Sequence, residues 1–149
     1  MTNNRLKIKK LNEKAILPTH GSDGAAGLDL YACLDEPVTL EPRGLYKIPT
    51  GLAIALPDKN TVAFIFARSG LGVNHGISLP NAVGVVDSDY RGELLVGLTN
   101  LSAQPYTLHP GERFAQLVVM PVLPMELEET DDLGETARGE GAFGSTGKK

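Results

Sequence analysis

The chain has 149 residues, 42% of them hydrophobic, which suits one domain with a real core and excludes a disordered chain. A formal net charge of -4 excludes a general electrostatic pull toward nucleic-acid backbone or anionic lipid, so any phosphate must be met by a few placed groups. Cys33 is the one cysteine, which excludes an intramolecular disulfide and a cysteine-built metal site.

Residues 1–14 are basic and lack an apolar run, so they do not read as a secretory signal. No apolar stretch reaches the roughly 18 residues a spanning helix needs. The expectation is an intracellular, cytoplasmic protein with no membrane association and no direct nucleic-acid binding. Asn100-Leu101-Ser102 matches a glycosylation sequon, but without an export signal it carries no weight.

Strands dominate the pattern. Leu6-Lys7-Ile8-Lys9 alternates as a half-buried strand should, and so does Leu28-Asp29-Leu30. Short apolar runs follow at residues 52–56, 62–67, 83–86, 94–98 and 114–122, punctuated by Gly, Pro, Asn and Asp. No long 3.6-period helix is present, although a short helical turn fits residues 69–75. An all-β, jelly-roll-like barrel or sandwich is the expected fold. The β-domain is expected over residues 1–130. Residues 131–149 turn polar and glycine-rich, and read as a disordered tail or as a flexible C-terminal arm.

Five segments along this chain can carry chemistry. In Ala25-Ala26-Gly27-Leu28-Asp29-Leu30, alternation sends Asp29 away from its leucine neighbours, where a carboxylate can face hydrated magnesium. In Ala67-Arg68-Ser69-Gly70, Arg68 offers a two-pronged grip on phosphate, Ser69 a hydroxyl, and Gly70 close approach of backbone N–H groups. The segment from Asn81 through Val86, Asp87, Asp89 and Tyr90 to Glu93 puts two carboxylates two apart, which on a strand share one face, as a solvated edge or as a general base with a companion. In Gly111-Glu112-Arg113-Phe114-Ala115-Gln116-Leu117, alternation puts Gln116 and Phe114 on one side. The arm carries Arg138, Phe143, Gly144, Ser145 and Thr146, suited to folding over a nucleotide with the ring on the base.

Two look-alikes fail. Gly139-Glu140-Gly141-Ala142-Phe143-Gly144 spells a dinucleotide fingerprint but lacks room for the helix that must follow. Gly147-Lys148 resembles the end of a P-loop, but Lys149 stands where Ser or Thr is required. His20, His75 and His109 have no metal-ligand spacing.

In order and spacing the five segments resemble the five motifs of the trimeric dUTPase family, and Pro49-Thr50-Gly51-Leu52 is similar to the family too. The resemblance implies a homotrimer with three shared sites, Mg2+ as cofactor, and hydrolysis of dUTP to dUMP and pyrophosphate. Such an activity limits uracil incorporation into DNA and supplies dUMP for thymidylate synthesis. It implies Asp87 as the base that activates water and Asp29 as the residue holding magnesium through water. Arg68, Ser69, Gly70 and Gln116 are implied phosphate contacts. Arg138, Ser145 and Thr146 are implied contacts to the outer phosphates, with Phe143 and Gly144 closing over the base. Asn81, Val86 and Tyr90 belong to the implied base and sugar pocket. Ala142 and Asn74 depart from the family pattern, which commonly has glycine and lysine there; neither removes a reacting group.

Two alternatives remain at this point. A dCTP deaminase-type enzyme shares the fold family, but it carries a glutamate where this chain has Gly97 and a further serine in place of Gly70. A non-catalytic nucleotide-binding trimer would keep the fold and lose the chemistry.

Overall fold

The computed structural model describes residues 5–144 and residue 147. In chain order they form β1 (Lys7–Lys10), β2 (Thr19–His20), β3 (Leu28–Tyr31), β4 (Val38–Leu40), β5 (Leu45–Ala55), β6 (Thr61–Ala67), α1 (Ser69–His75), β7 (Ile77–Ser78), β8 (Gly84–Val86), β9 (Glu93–Asn100), β10 (Tyr106–Leu108) and β11 (Arg113–Pro121). All pairings are antiparallel. The order is β1-β5-β9-β7 in one sheet and β2-β3-β11-β6-β8 in another, with β10 and β4 as a separate pair.

One core joins the layers. Leu30, Ala63, Ile65 and Leu117 from the five-stranded sheet meet Ile48, Ile54, Leu94, Val96 and Leu98 from the four-stranded one, with Leu40 and Leu108 from the pair. Strand β9 shows the alternation that drives this: Leu94, Val96 and Leu98 are buried, while Leu95 between them is half exposed. Each such side chain contributes about 1.5–3 kcal/mol by leaving water. The expected all-β, jelly-roll-like architecture is what the chain adopts.

Two buried polar residues tie strands together. Thr50 Oγ1 donates to the Leu94 carbonyl at 2.8 Å. Asn100, fully buried, donates to the Leu40 and Gln104 carbonyls and accepts from Ser102. Its side chain is therefore spent on structure, and the sequon at residues 100–102 is silent. Gly51 sits at φ +67°, where an added Cβ would meet Ala15 and Cys33 at 2.8 Å, so only glycine fits this bend in β5.

Two local expectations are corrected. Asp87 and Asp89 do not share a strand face, because β8 ends at Val86 and residues 87–90 form a turn in which the Tyr90 N–H donates to the Asp87 carbonyl. Phe114 and Gln116 do not share a side. A β-bulge between Arg113 and Ala115 turns Phe114 into the core, where it is 1% exposed, while Gln116 stays outside.

Candidate active site

The phosphate-type residues gather at one end of the five-stranded sheet. Asp29 on β3 pairs directly with Gln116 on β11, so their side chains rise from the same face. Gln116 Nε2 donates to the carbonyl of Ala67, the last residue of β6. Arg68 follows at once and is held at two points: Nε lies 3.2 Å from Asp29 Oδ1, and Nη1 donates to the Arg113 carbonyl at 2.9 Å. Arg113 Nη1 reaches Asp29 Oδ2 at 3.2 Å. The Asp29 carboxylate, only 13% exposed, thus stands between two guanidinium groups. Ser69 and Gly70 are exposed beside it at the start of α1, where no side chain caps the free backbone N–H groups.

Glu112 anchors the turn that leads into this cluster. It accepts a short hydrogen bond from the Tyr106 hydroxyl and another from the His109 N–H at 3.0 Å. Burial first, then the Glu112 bond, push the Tyr106 hydroxyl up to about 12. The His75 ring at the end of α1 packs on Tyr106 with centroids 4.9 Å apart.

A second group lies along β8. A cavity of about 250 Å³ is lined by Ile65, Asn81, Val86, Asp87, Tyr90 and Glu93, among others. Strand β8 is the edge of its sheet, and among the described residues its outer side has no strand partner. The Tyr90 hydroxyl donates to the Glu93 carbonyl at 2.9 Å, which holds the ring over Gly92. Glu93 in turn accepts from the Gly51 N–H at 2.8 Å, linking the pocket to the β5 bend. A larger cavity of about 450 Å³ opens between Leu6, Leu28, Pro57 and Leu117, but it gathers none of the charged residues singled out above and is the less suited to a nucleotide.

The two groups do not meet within one chain. Val86 pairs with Ala63 on β6, whereas Arg68 follows Ala67 at that strand's other end. Five strand residues at about 3.3 Å each separate them by roughly 16 Å. The described residues of the arm stand apart from both groups. Beyond β11 no described residue forms a strand or helix, and Phe143 is fully exposed. Arg138 Nε donates to the nearby Gly141 carbonyl. Ser145 and Thr146 lie outside the described residues.

The family model named dUTPase matches residues 13–147. The chain belongs to the dUTPase family. A deoxyuridine 5'-triphosphate nucleotidohydrolase of Hahella chejuensis is 50% identical over 141 residues, 95% of this chain and 93% of that protein. One of Neisseria meningitidis serogroup A is 47% identical over 147 residues, 97% and 98% of the two. The solved Staphylococcus bacteriophage 80alpha dUTPase with dUPNHPP aligns with a TM-score of 0.84 at 25% identity, over 97% of this chain and 99% of that one. A mutant dUTPase from phage phi11 of S. aureus, described with a structural Mg(II) ion, shares the fold at a TM-score of 0.78 and 23% identity, over 87% of this chain and 99% of that one.

In this dUTPase chain, sequence reasoning named Asp29, Arg68, Ser69, Gly70, Gln116, Asn81, Val86, Asp87 and Tyr90 for one kind of shared site; the structure groups the first five apart from the last four. Sequence reasoning missed Arg113 and the supporting Tyr106–Glu112 pair. Arg113 was hidden because regular alternation puts it on the opposite face from Gln116; the bulge at Phe114 brings both to the face of Asp29. Among the described residues no three His, Cys, Asp or Glu side chains converge to hold a metal ion, and no helix is long and apolar enough to cross a membrane.

Proposed function

We propose that this chain hydrolyses dUTP to dUMP and pyrophosphate, in the cytoplasm, as a homotrimer whose three sites are each built by neighbouring subunits. The observation that carries the reading is the separation of its two groups: a nucleoside-sized pocket rimmed by Asp87 at one end of β6, and a phosphate grip on Arg68 and Gln116 at the other. Neither is a site alone. Cyclic symmetry would set one subunit's pocket against the next subunit's grip and make all three composite sites equivalent.

Asp87 takes a proton from water, and that water attacks the α-phosphorus as pyrophosphate leaves. General-base assistance of this kind contributes about 10² to 10⁴ in rate. Arg68, Ser69, the Gly70 N–H and Gln116 bind the phosphate oxygens and hold the chain of phosphates in line. The arm, residues 131–149, closes from a further subunit, with Phe143 over the base, Gly144 in the turn beside it, and Arg138, Ser145 and Thr146 on the outer phosphates.

The residues present fit magnesium in the manner that ion prefers. It dehydrates reluctantly and favours substrate phosphates plus one or two carboxylates over an all-protein cage. Asp29 would supply one carboxylate of that kind, holding the ion through water while Arg68 and Arg113 flank the carboxylate. Mg2+ held there would supply positive charge against the negative charge that develops on the leaving pyrophosphate.

Selection of uracil follows from the free edge of β8. Unpaired N–H and C=O groups there match the alternating acceptors and donor of uracil's pairing edge, whereas cytosine's amino group would leave a buried donor unpaired. Tyr90, fixed to Glu93, bounds the sugar and leaves no space for a 2′-hydroxyl. Glycine at position 97 and at position 70 both favour hydrolysis over the deaminase reading.

The test is to incubate the purified protein and magnesium with dUTP, dCTP, dTTP and UTP separately, measuring nucleoside monophosphate, pyrophosphate and ammonia. We expect dUMP and pyrophosphate from dUTP almost alone. Ammonia from dCTP, or no turnover of dUTP, would overturn the proposal.

A further inference from the structure

The β-bulge at Phe114 has a chemical consequence at the phosphate end. Without it, Arg113 would sit on the face opposite Gln116 and point away from Asp29. With it, Arg113 pairs with Tyr31, two residues from Asp29, and its guanidinium reaches Asp29 Oδ2 at 3.2 Å. Its main-chain carbonyl meanwhile accepts from Arg68 Nη1 at 2.9 Å. One residue thus holds both members of the Asp29–Arg68 pair.

We propose that Arg113 is a positioning residue for triphosphate binding: its guanidinium shares the Asp29 carboxylate so that Arg68 is not drawn wholly onto it. The inference rests on the phosphate-binding role proposed for Arg68 and Asp29. Asp29 is 13% exposed, so its charge is poorly served by water and must be met by protein donors. Arg68 is 30% exposed and Arg113 48%. Arg68 is therefore the more enclosed partner, and Arg113 approaches from the solvent side. Were Arg113 absent, the whole charge of Asp29 would fall on Arg68. The Arg68 fork would tighten around Asp29 and present fewer N–H groups to a phosphate. Truncating the Arg113 side chain leaves its carbonyl in place, so the substitution isolates the guanidinium.

The experiment compares the full-length protein with Arg113→Ala for binding of dUPNHPP and of dUMP by calorimetry, with magnesium present. Affinity for the triphosphate analogue should fall by about 10- to 100-fold, the range expected for one lost hydrogen bond to a charged group. Affinity for dUMP should change by less than about twofold, since the nucleoside pocket lies at the other end of β6; a general loss of structure would weaken both alike. In an Asp29→Asn background the same Arg113→Ala change should have little further effect, because the guanidinium acts through that carboxylate. Arg113→Lys should restore part of the loss, and Arg113→Gln serves for the comparison if the alanine variant does not fold. Unchanged analogue affinity, equal losses for both ligands, or an undiminished loss in the Asp29→Asn background would each overturn the role of Arg113. If the unaltered protein bound neither nucleotide, the proposed function itself would fall with it.

Discussion

Asp87 and Arg68 lie toward opposite ends of the same strand, β6. The first follows Val86, which pairs with Ala63; the second follows Ala67. An apolar, buried strand is stiff, so this separation is a fixed property of the subunit. It is the reason the proposed function needs a neighbouring subunit to complete each site. The described residues after β11 contribute nothing to the core, which leaves the arm free for the closing role proposed for it.

The arm gives a prediction that separates folding from activity. Deleting residues 138–149 should leave thermal stability essentially unchanged, because the described part of that stretch is almost wholly exposed. Turnover of dUTP should collapse. Within the intact arm, Phe143→Ala should weaken binding of a non-hydrolysable dUTP analogue by about 1–3 kcal/mol, the worth of one base–aromatic stack. An undiminished rate after the deletion would show that the arm does not close the site.

The sugar pocket gives a second. A methyl group added at Gly92 would collide with the Tyr90 ring, which the bond to Glu93 holds in place. Gly92→Ala should displace that ring and reduce the preference for dUTP over UTP by about tenfold, a typical size for one steric contact. Comparing kcat/KM for the two nucleotides measures this directly; an unaltered ratio would remove Tyr90 from the selection of deoxyribose.

Stability at high pH gives a third. The Tyr106 hydroxyl, raised from 10.0 to about 12, favours the protonated form more in the folded state than in the unfolded one. Its contribution is therefore complete below about pH 10 and lost as pH rises toward 12. Tyr106→Phe should be less stable than the parent by about 1 kcal/mol at pH 8. The two unfolding curves should approach each other as pH rises above about 10 and cross before about 12. Parallel curves across that window would show that the folded state does not favour the protonated Tyr106 hydroxyl.

Much of the fold is legible in the residues. The runs at 62–67 and 94–98 became β6 and β9 because each carries enough alternating or continuous apolar residues to demand a buried face. The turn expected at residues 69–75 is α1 itself, ended by Gly76 at φ +70°. Strands β2, β4, β7 and β10 were not legible, since two or three residues carry no period. Pro49 hid the first half of β5; it falls where the register with β9 shifts. The bulge at Phe114 was invisible because it breaks the alternation by which faces are assigned. At the site, motif order named the residues but not their spacing in space. That Asp87 and Arg68 are kept apart by β6 is a matter of register, which no local pattern encodes.

The shared site is tested most directly by mixing two inactive variants. Asp87→Asn lacks the base and should slow hydrolysis at least about a hundredfold; Arg68→Gln lacks the phosphate grip. Unfolded together in equal amounts and refolded as mixed trimers, they should recover about a quarter of the parental rate, since random assembly joins an intact Asp87 to a neighbour's intact Arg68 at about one site in four. A mixture no more active than either variant alone would mean that both groups act within one subunit, contrary to the arrangement proposed here.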